Sequence, residues 1–233
     1  MLVETVCCCP ADCEAAERAG AHRIELVAAI EQGGLTPTPG AVKASKRRCS
    51  LPVMAMVRPR AGGFVYDDGE FEAMLADVSA CLDAGADGVV LGVLHEDGSL
   101  DLDRNTQLVR RAQGMPVVCH RAFDLNPDQP HGLEQLISMG FARVLTSGGK
   151  SSALAGAGPI RELIRIAAGR IEILPGVEIR ASNVRALVER TGCDQVHLGP
   201  FLEHFDPPTD REVSYGPHVR LDAQAVWAVA QAA

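Results

Sequence analysis

Two hydrophobic rhythms alternate along the chain. Short apolar runs such as Gly88-Val89-Val90-Leu91 and Val117-Val118-Cys119 carry apolar or β-branched residues at nearly every position. Between them, apolar residues recur at three- and four-residue spacings, as at Ile160, Leu163, Ile164 and Ala167. A short continuous run suits a strand buried on both faces, and the longer period suits a helix with one buried face.

A repeat puts the two rhythms in register. Four segments end a helical pattern on a glycine, pass through two residues and enter an apolar run. They are Gly20-Ala21-His22 before Arg23, Gly85-Ala86-Asp87 before Gly88, Gly140-Phe141-Ala142 before Arg143, and Gly192-Cys193-Asp194 before Gln195. Glycine there suits the left-handed residue that closes a helix. These glycines stand 65, 55 and 52 residues apart, about twice the length of one strand-plus-helix unit. Each gap therefore has room for one more unit. Leu51-Pro52-Val53, Met115-Pro116-Val117 and Ile171-Glu172-Ile173 supply its strand, and Leu2–Cys8 opens the series.

Eight strands are predicted, over 2–8, 23–27, 52–57, 88–92, 116–120, 143–146, 171–174 and 195–198. Helices are predicted over 11–19, 39–47, 68–84, 103–112, 130–139, 159–168, 182–190 and 221–231. Strict alternation and the count of eight point to an α/β protein, a single-domain (β/α)8 TIM-type barrel over residues 1–233. An open doubly wound sheet is the runner-up. Residues 200–220 read as an irregular loop before the last helix, a lid or tail over one barrel mouth.

Composition narrows the partners. Aromatic residues are 4% of the chain and the net charge is −8, so nucleic acid and anionic membranes are not expected as partners. No apolar stretch is long enough to span a bilayer. Met1–Val6 lacks a signal-peptide pattern, and eight cysteines are too few for a disulfide scaffold, so a reducing cytoplasm is the expected location.

In a barrel of this kind the chemistry sits at the C-terminal strand ends. Those positions carry Glu4, Glu25, Arg58, Arg60, His120, Arg121, Asp124 and His197, together with Thr146-Ser147-Gly148-Gly149 and Gly176. Inward-pointing, they make a pocket for a small anionic molecule. Arg58 and Arg60 would clamp a carboxylate or phosphate, and Ser147, Gly148, Gly149 and Gly176 would cradle it with backbone N–H groups. Glu25 or His120 would serve as general base and His197 as a second acid or electrophile, with Glu4 a further candidate for proton transfer. The plainer alternative is a polar plug in which Glu4, Glu25 and Arg58 satisfy one another. Cys8, with Met54 and Met56 nearby, offers soft donors of the kind Cu(I) prefers, although Cys and Met also serve as ordinary core fillers.

The motifs resemble those of the CutC family, long labelled copper homeostasis proteins. The resemblance rests on Arg23-Ile24-Glu25-Leu26 with Gly33-Gly34-Leu35-Thr36-Pro37, and on Val57-Arg58-Pro59-Arg60 with Phe64 and Tyr66. His120-Arg121-Ala122-Phe123-Asp124 and Leu145-Thr146-Ser147-Gly148-Gly149 follow in family order. It implies a cytoplasmic TIM-type barrel, homo-oligomeric assembly and copper handling. Members often have Cys where this chain has Val27 and Val65, which leaves Cys7 and Cys8 on the first strand, with Cys8 the metal candidate.

Overall fold

The computed structural model describes residues 1–206 and 216–232. Its strands and helices alternate from the first residues onward: β1 (Leu2–Cys7), α1 (Pro10–Arg18), β2 (Arg23–Leu26), α2 (Pro39–Arg48), β3 (Val53–Met56), α3 (Asp68–Asp83), β4 (Gly88–Leu91) and α4 (Leu102–Arg111). The second half repeats the pattern with β5 (Val117–Cys119), α5 (Gln129–Met139), β6 (Arg143–Thr146), α6 (Ala157–Ala167), β7 (Glu172–Pro175), α7 (Val184–Thr191) and β8 (Gln195–Leu198). After β9 (Phe201–His204) and β10 (His218–Leu221), α8 (Ala223–Ala232) ends the described chain.

Each strand from β1 to β7 lies parallel beside the next, and β1 also pairs with β8, so the sheet wraps into a barrel. The seam between β7 and β8 closes through one parallel bridge, Gly176 to His197. The predicted elements stand within two residues of the observed ones. Gly20, Gly85, Gly140 and Gly192 all adopt positive φ, between 76° and 101°, which is where a side chain would be strained.

Strand alternation then sorts the residues. Val3, Ile24, Leu26, Val53, Ala55, Val89, Leu91 and Val196 face outward into the main core shared with the helices. Val6, Val27, Met54, Met56, Val90 and Val118 face inward and form a separate apolar cluster, with Cys8 at its edge. None of the described helices is long and apolar enough to cross a membrane.

One prediction needs correction. The segment 200–220 is not wholly irregular, because β9 and β10 pair antiparallel, with His204 opposite His218 and Phe201 opposite Leu221. Its middle, 207–215, where the expected lid would fall, lies outside the described residues.

Candidate active site

The barrel interior is polar at its floor. Arg23 of β2 donates from Nε to Glu4 and from Nη2 to Gln195 Oε1 at 2.8 Å. Arg143 of β6 donates to Glu172 Oε2 at 2.7 Å, and Gln195 Nε2 reaches the same oxygen at 3.1 Å. These four partners of Glu4 and of one another were not singled out from the sequence. Their parity was the available signal, since Arg23 and Gln195 stand two residues before Glu25 and His197 and so share their face.

Above the floor, Glu4 links the network to the mouth. His197 Nδ1 donates to Glu4 Oε1 at 2.8 Å, and its Nε2 lies 3.6 Å from Glu25 Oε2. All three residues are buried. Burial alone would raise the Glu4 carboxyl, but the hydrogen bond and charge of His197, with Arg23 and Arg143, bring it down to about 2. Burial dominates at Glu25 and pushes it up to about 7, because His197 offsets only part of the cost and Glu4 adds to it. For His197 burial works downward, but the charges of Glu25 and Glu4 outweigh it and the imidazole is raised. Two carboxyls on adjacent strands thus end far apart, one firmly ionised and one poised near neutrality. Their ligand atoms and that of His197 lie within 4.8 Å of one another, a spacing that could also hold a divalent cation.

His120, at the end of β5, behaves differently from the expected base. Burial, then the charge of Arg58, lowers it to about 3. Its Nδ1 accepts the Ala122 N–H at 3.2 Å, which assigns the proton to Nε2. That Nε2 is buried and has no protein partner. His120 is therefore a neutral hydrogen-bond donor, packed on Phe64 with ring centroids 4.5 Å apart. A Cβ at Gly92 would lie 3.0 Å from the imidazole, so a side chain there would crowd the ring.

The two arginines expected to clamp an anion are largely occupied. Arg58 donates to the carbonyls of Gln32, Gly34 and Gly62 at 2.7–3.0 Å and stands over the Phe64 ring, tying two loops together. Arg60 does not reach the cavity; it pairs with Glu70 and donates to the carbonyls of Ala61, Gly63 and Val65.

The expected anion cradle is also filled, by the protein itself. Asp124 Oδ1 accepts from Thr146 Oγ1 at 2.6 Å, Ser147 N at 3.0 Å and Gly149 N at 3.1 Å. Its Oδ2 accepts from Ser147 Oγ at 3.0 Å and Arg121 Nε at 2.9 Å. Gly148 N–H goes to Thr146 Oγ1, and Gly176 N–H goes to the Thr146 carbonyl. The backbone donors are real, but their anion is an internal carboxylate. Asp124→Ala should lower stability by about 1–3 kcal/mol, because it strands several buried donors. Added inorganic phosphate should then raise the melting temperature of the variant more than that of the parent. Equal responses would mean that the emptied cradle does not take anions.

Glu25, Arg58, His120, Arg121 and His197 line one cavity of about 300 Å³ at the barrel mouth, with Val27, Met56 and Phe64 as its apolar wall. Cys8 lies outside it, beside Cys9 and His218. Burial, then the charge of Asp12, pushes the Cys8 thiol up to about 12. Among the described residues, no trio of His, Cys, Asp or Glu donors within ion-sharing distance includes Cys8.

Comparison with known proteins agrees with this architecture. The family model described as the CutC family matches residues 1–201. A protein from Treponema denticola named "family protein CutC" is 46% identical over 198 residues, which cover 85% of this chain and 80% of that one. A human protein named "Copper homeostasis protein cutC homolog" is 44% identical over 182 residues, 78% of this chain and 67% of that one. The crystal structure of CutC from Streptococcus agalactiae superimposes with a TM-score of 0.81 at 32% identity, covering 85% of this chain and 98% of that one.

Proposed function

The chain belongs to the CutC family, and from that membership and the chemistry of its barrel mouth we propose an enzyme that performs acid–base catalysis on a small anionic metabolite. One observation carries this reading. Glu25, poised near 7, lines the same cavity as His120, whose buried Nε2–H has no protein partner. A carboxylate able to take a proton near neutrality and a neutral donor able to meet a developing oxyanion are complementary tools. In this reading Glu25 removes a proton from a position next to a carbonyl, and His120 Nε2–H stabilises the oxygen on which charge accumulates. His197, held by Glu4, stands beside Glu25 and favours its ionised form. The cationic edge supplied by Arg121 and Arg58 favours an anionic ligand.

The copper homeostasis names of the mouse and human relatives and of the Streptococcus agalactiae structure favour a second reading, copper handling. The arrangement of the soft donors supports this reading less than the mouth supports acid–base chemistry. Cys8 lies at the edge of the inner apolar cluster and outside the smaller cavity, and among the described residues no His, Cys, Asp or Glu trio within ion-sharing distance includes it. The family reading also extends to a cytoplasmic homo-oligomer. Leu202, Phe205 and Trp227 support assembly, since each is more than half exposed.

The two readings separate in one pair of titrations. Small phosphate- and carboxylate-bearing compounds are expected to raise the melting temperature of the parent, with affinity falling about tenfold or more in His120→Phe, which removes the donor. Reduced protein titrated anaerobically with Cu(I) against a strong chelator should show no competitive binding that depends on Cys8. Stoichiometric copper binding lost in Cys8→Ser, with no anion effect, would overturn the proposal.

A further inference from the structure

Arg121 differs from the other two arginines of the mouth motifs. Its Nε is held by Asp124, and among the described residues neither Nη nitrogen has a protein partner. It also lies at a junction. The 300 Å³ cavity shares Arg121, Leu145 and His197 with a second cavity of about 790 Å³, bounded by the loop after β7, the end of β8 and α8.

The walls of this second cavity are mainly apolar. Val177, Ile179, Leu198, Ala225, Ala228 and Val229 contribute to them, and the last three share one face of α8 at spacings of three and four residues. Glu178, Arg180 and Asp222 also line it. One wall is strained. Val177 and Glu178 have φ of 82° and 55°, a region that a β-branched residue rarely enters. The loop is held there by Ala153 N–H to the Val177 carbonyl and by Asn183 Nδ2 to the Glu178 carbonyl. Strain kept in place by such anchors tends to mark a ligand-shaping segment.

We propose that the ligand is a two-part anion: Arg121 binds its charged group, the smaller cavity takes its reacting atoms, and the larger cavity takes an apolar remainder. This rests on the acid–base reading of the smaller cavity and adds a substrate class to it. Asp124 is then a positioning residue, turning the Arg121 guanidinium so that its Nη edge is presented to the ligand. The internal carboxylate occupies the loop N–H groups, and the Nη groups of Arg121 remain as charged donors for an external anion, beside the His120 Nε2–H.

The test is calorimetric, with inorganic phosphate and phenyl phosphate as the two probes. Phenyl phosphate is expected to bind at least about tenfold more tightly, since it adds a buried ring to the same charged group. Arg121→Gln should weaken both probes about tenfold or more. Ala228→Phe, which fills the larger cavity, should shrink the preference for phenyl phosphate to less than about threefold. Ala225→Leu fills the same space and replaces it if Ala228→Phe does not fold by circular dichroism.

Failure of both probes to bind, equal affinity for the two, or a preference that survives the filled cavity would overturn the two-part ligand. The acid–base reading is judged separately, by the ligand-free pH dependence of Glu25→Gln stability.

Discussion

Glu25→Gln is expected to make the protein more stable at pH 8 and to leave it nearly unchanged at pH 4. The carboxyl sits at about 7 in the folded chain against an ordinary 4.5. Below 4.5 it is protonated whether the chain is folded or not, so it has no effect on stability. Between 4.5 and 7 the unfolded chain ionises while the folded one resists, and stability falls as the pH rises. Above 7 both are ionised and the loss levels off at about 3 kcal/mol. Glutamine resembles the protonated acid and removes that loss, which for a chain of this size corresponds to a gain of roughly 6–12 °C in melting temperature. Thermal melts of parent and variant from pH 4 to pH 8 would show it. A difference that stays flat across that range would mean that Glu25 does not titrate near neutrality, and the acid–base proposal would lose its base.

Glu4→Gln is expected to do the reverse. Glu4 ionises at about 2 in the folded chain, so the stability it contributes is present above 4.5 and is lost as the pH falls through 2. At pH 7 the variant should lose about 3–5 kcal/mol, because the buried Arg23 and His197 lose their counter-charge. The loss should shrink as the pH is lowered from 4.5 towards 2. Adding Arg23→Met to Glu4→Gln removes the stranded guanidinium and should recover about 0.5–3 kcal/mol relative to the sum of the single changes. Strict additivity would show that Glu4 and Arg23 are not coupled. Neighbouring strands would then carry two buried glutamates whose replacement by the same residue moves stability in opposite directions at pH 8. Such a trade of stability for a poised group is common where a pocket does chemistry.

The difference between these two glutamates is not written in their own neighbourhoods. Both lie inside short apolar strands, and strand parity alone points both inward. What separates them is that Glu4 meets Arg23 and the Nδ1–H of His197, whereas Glu25 faces only the more distant Nε2. The pairing follows from register, which sets Glu4 beside both Arg23 and His197. Similarly, nothing local to His-Arg-Ala-Phe-Asp says that His120 will keep its proton on Nε2, since that follows from the turn that brings the Ala122 N–H to Nδ1.

The arginines illustrate the same division. Arg58 and Arg60 stand two residues apart at a strand end, as a bidentate clamp would, yet loop carbonyls and Glu70 take up most of their donors. Arg121 is distinguished only by what does not reach it. The glycine-rich turn after β6 was legible as a set of free N–H groups, but the carboxylate that fills it comes from the turn after β5, 23 residues earlier for Ser147. Loop–loop contacts of that kind have no periodicity to betray them.

By itself the sequence determined the alternation of strands and helices, the count of eight, the parity that turns Glu4, Glu25, Met54, Met56 and His197 inward, and the family, because these depend on spacing along one chain. Only the tertiary structure decided which inward charges are neutralised, which imidazole nitrogen holds its proton, which arginine remains available, and where two cavities meet. Those outcomes depend on distances of a few ångströms between strands and loops far apart in the chain, and hydrogen bonds and buried charges are decided at that scale.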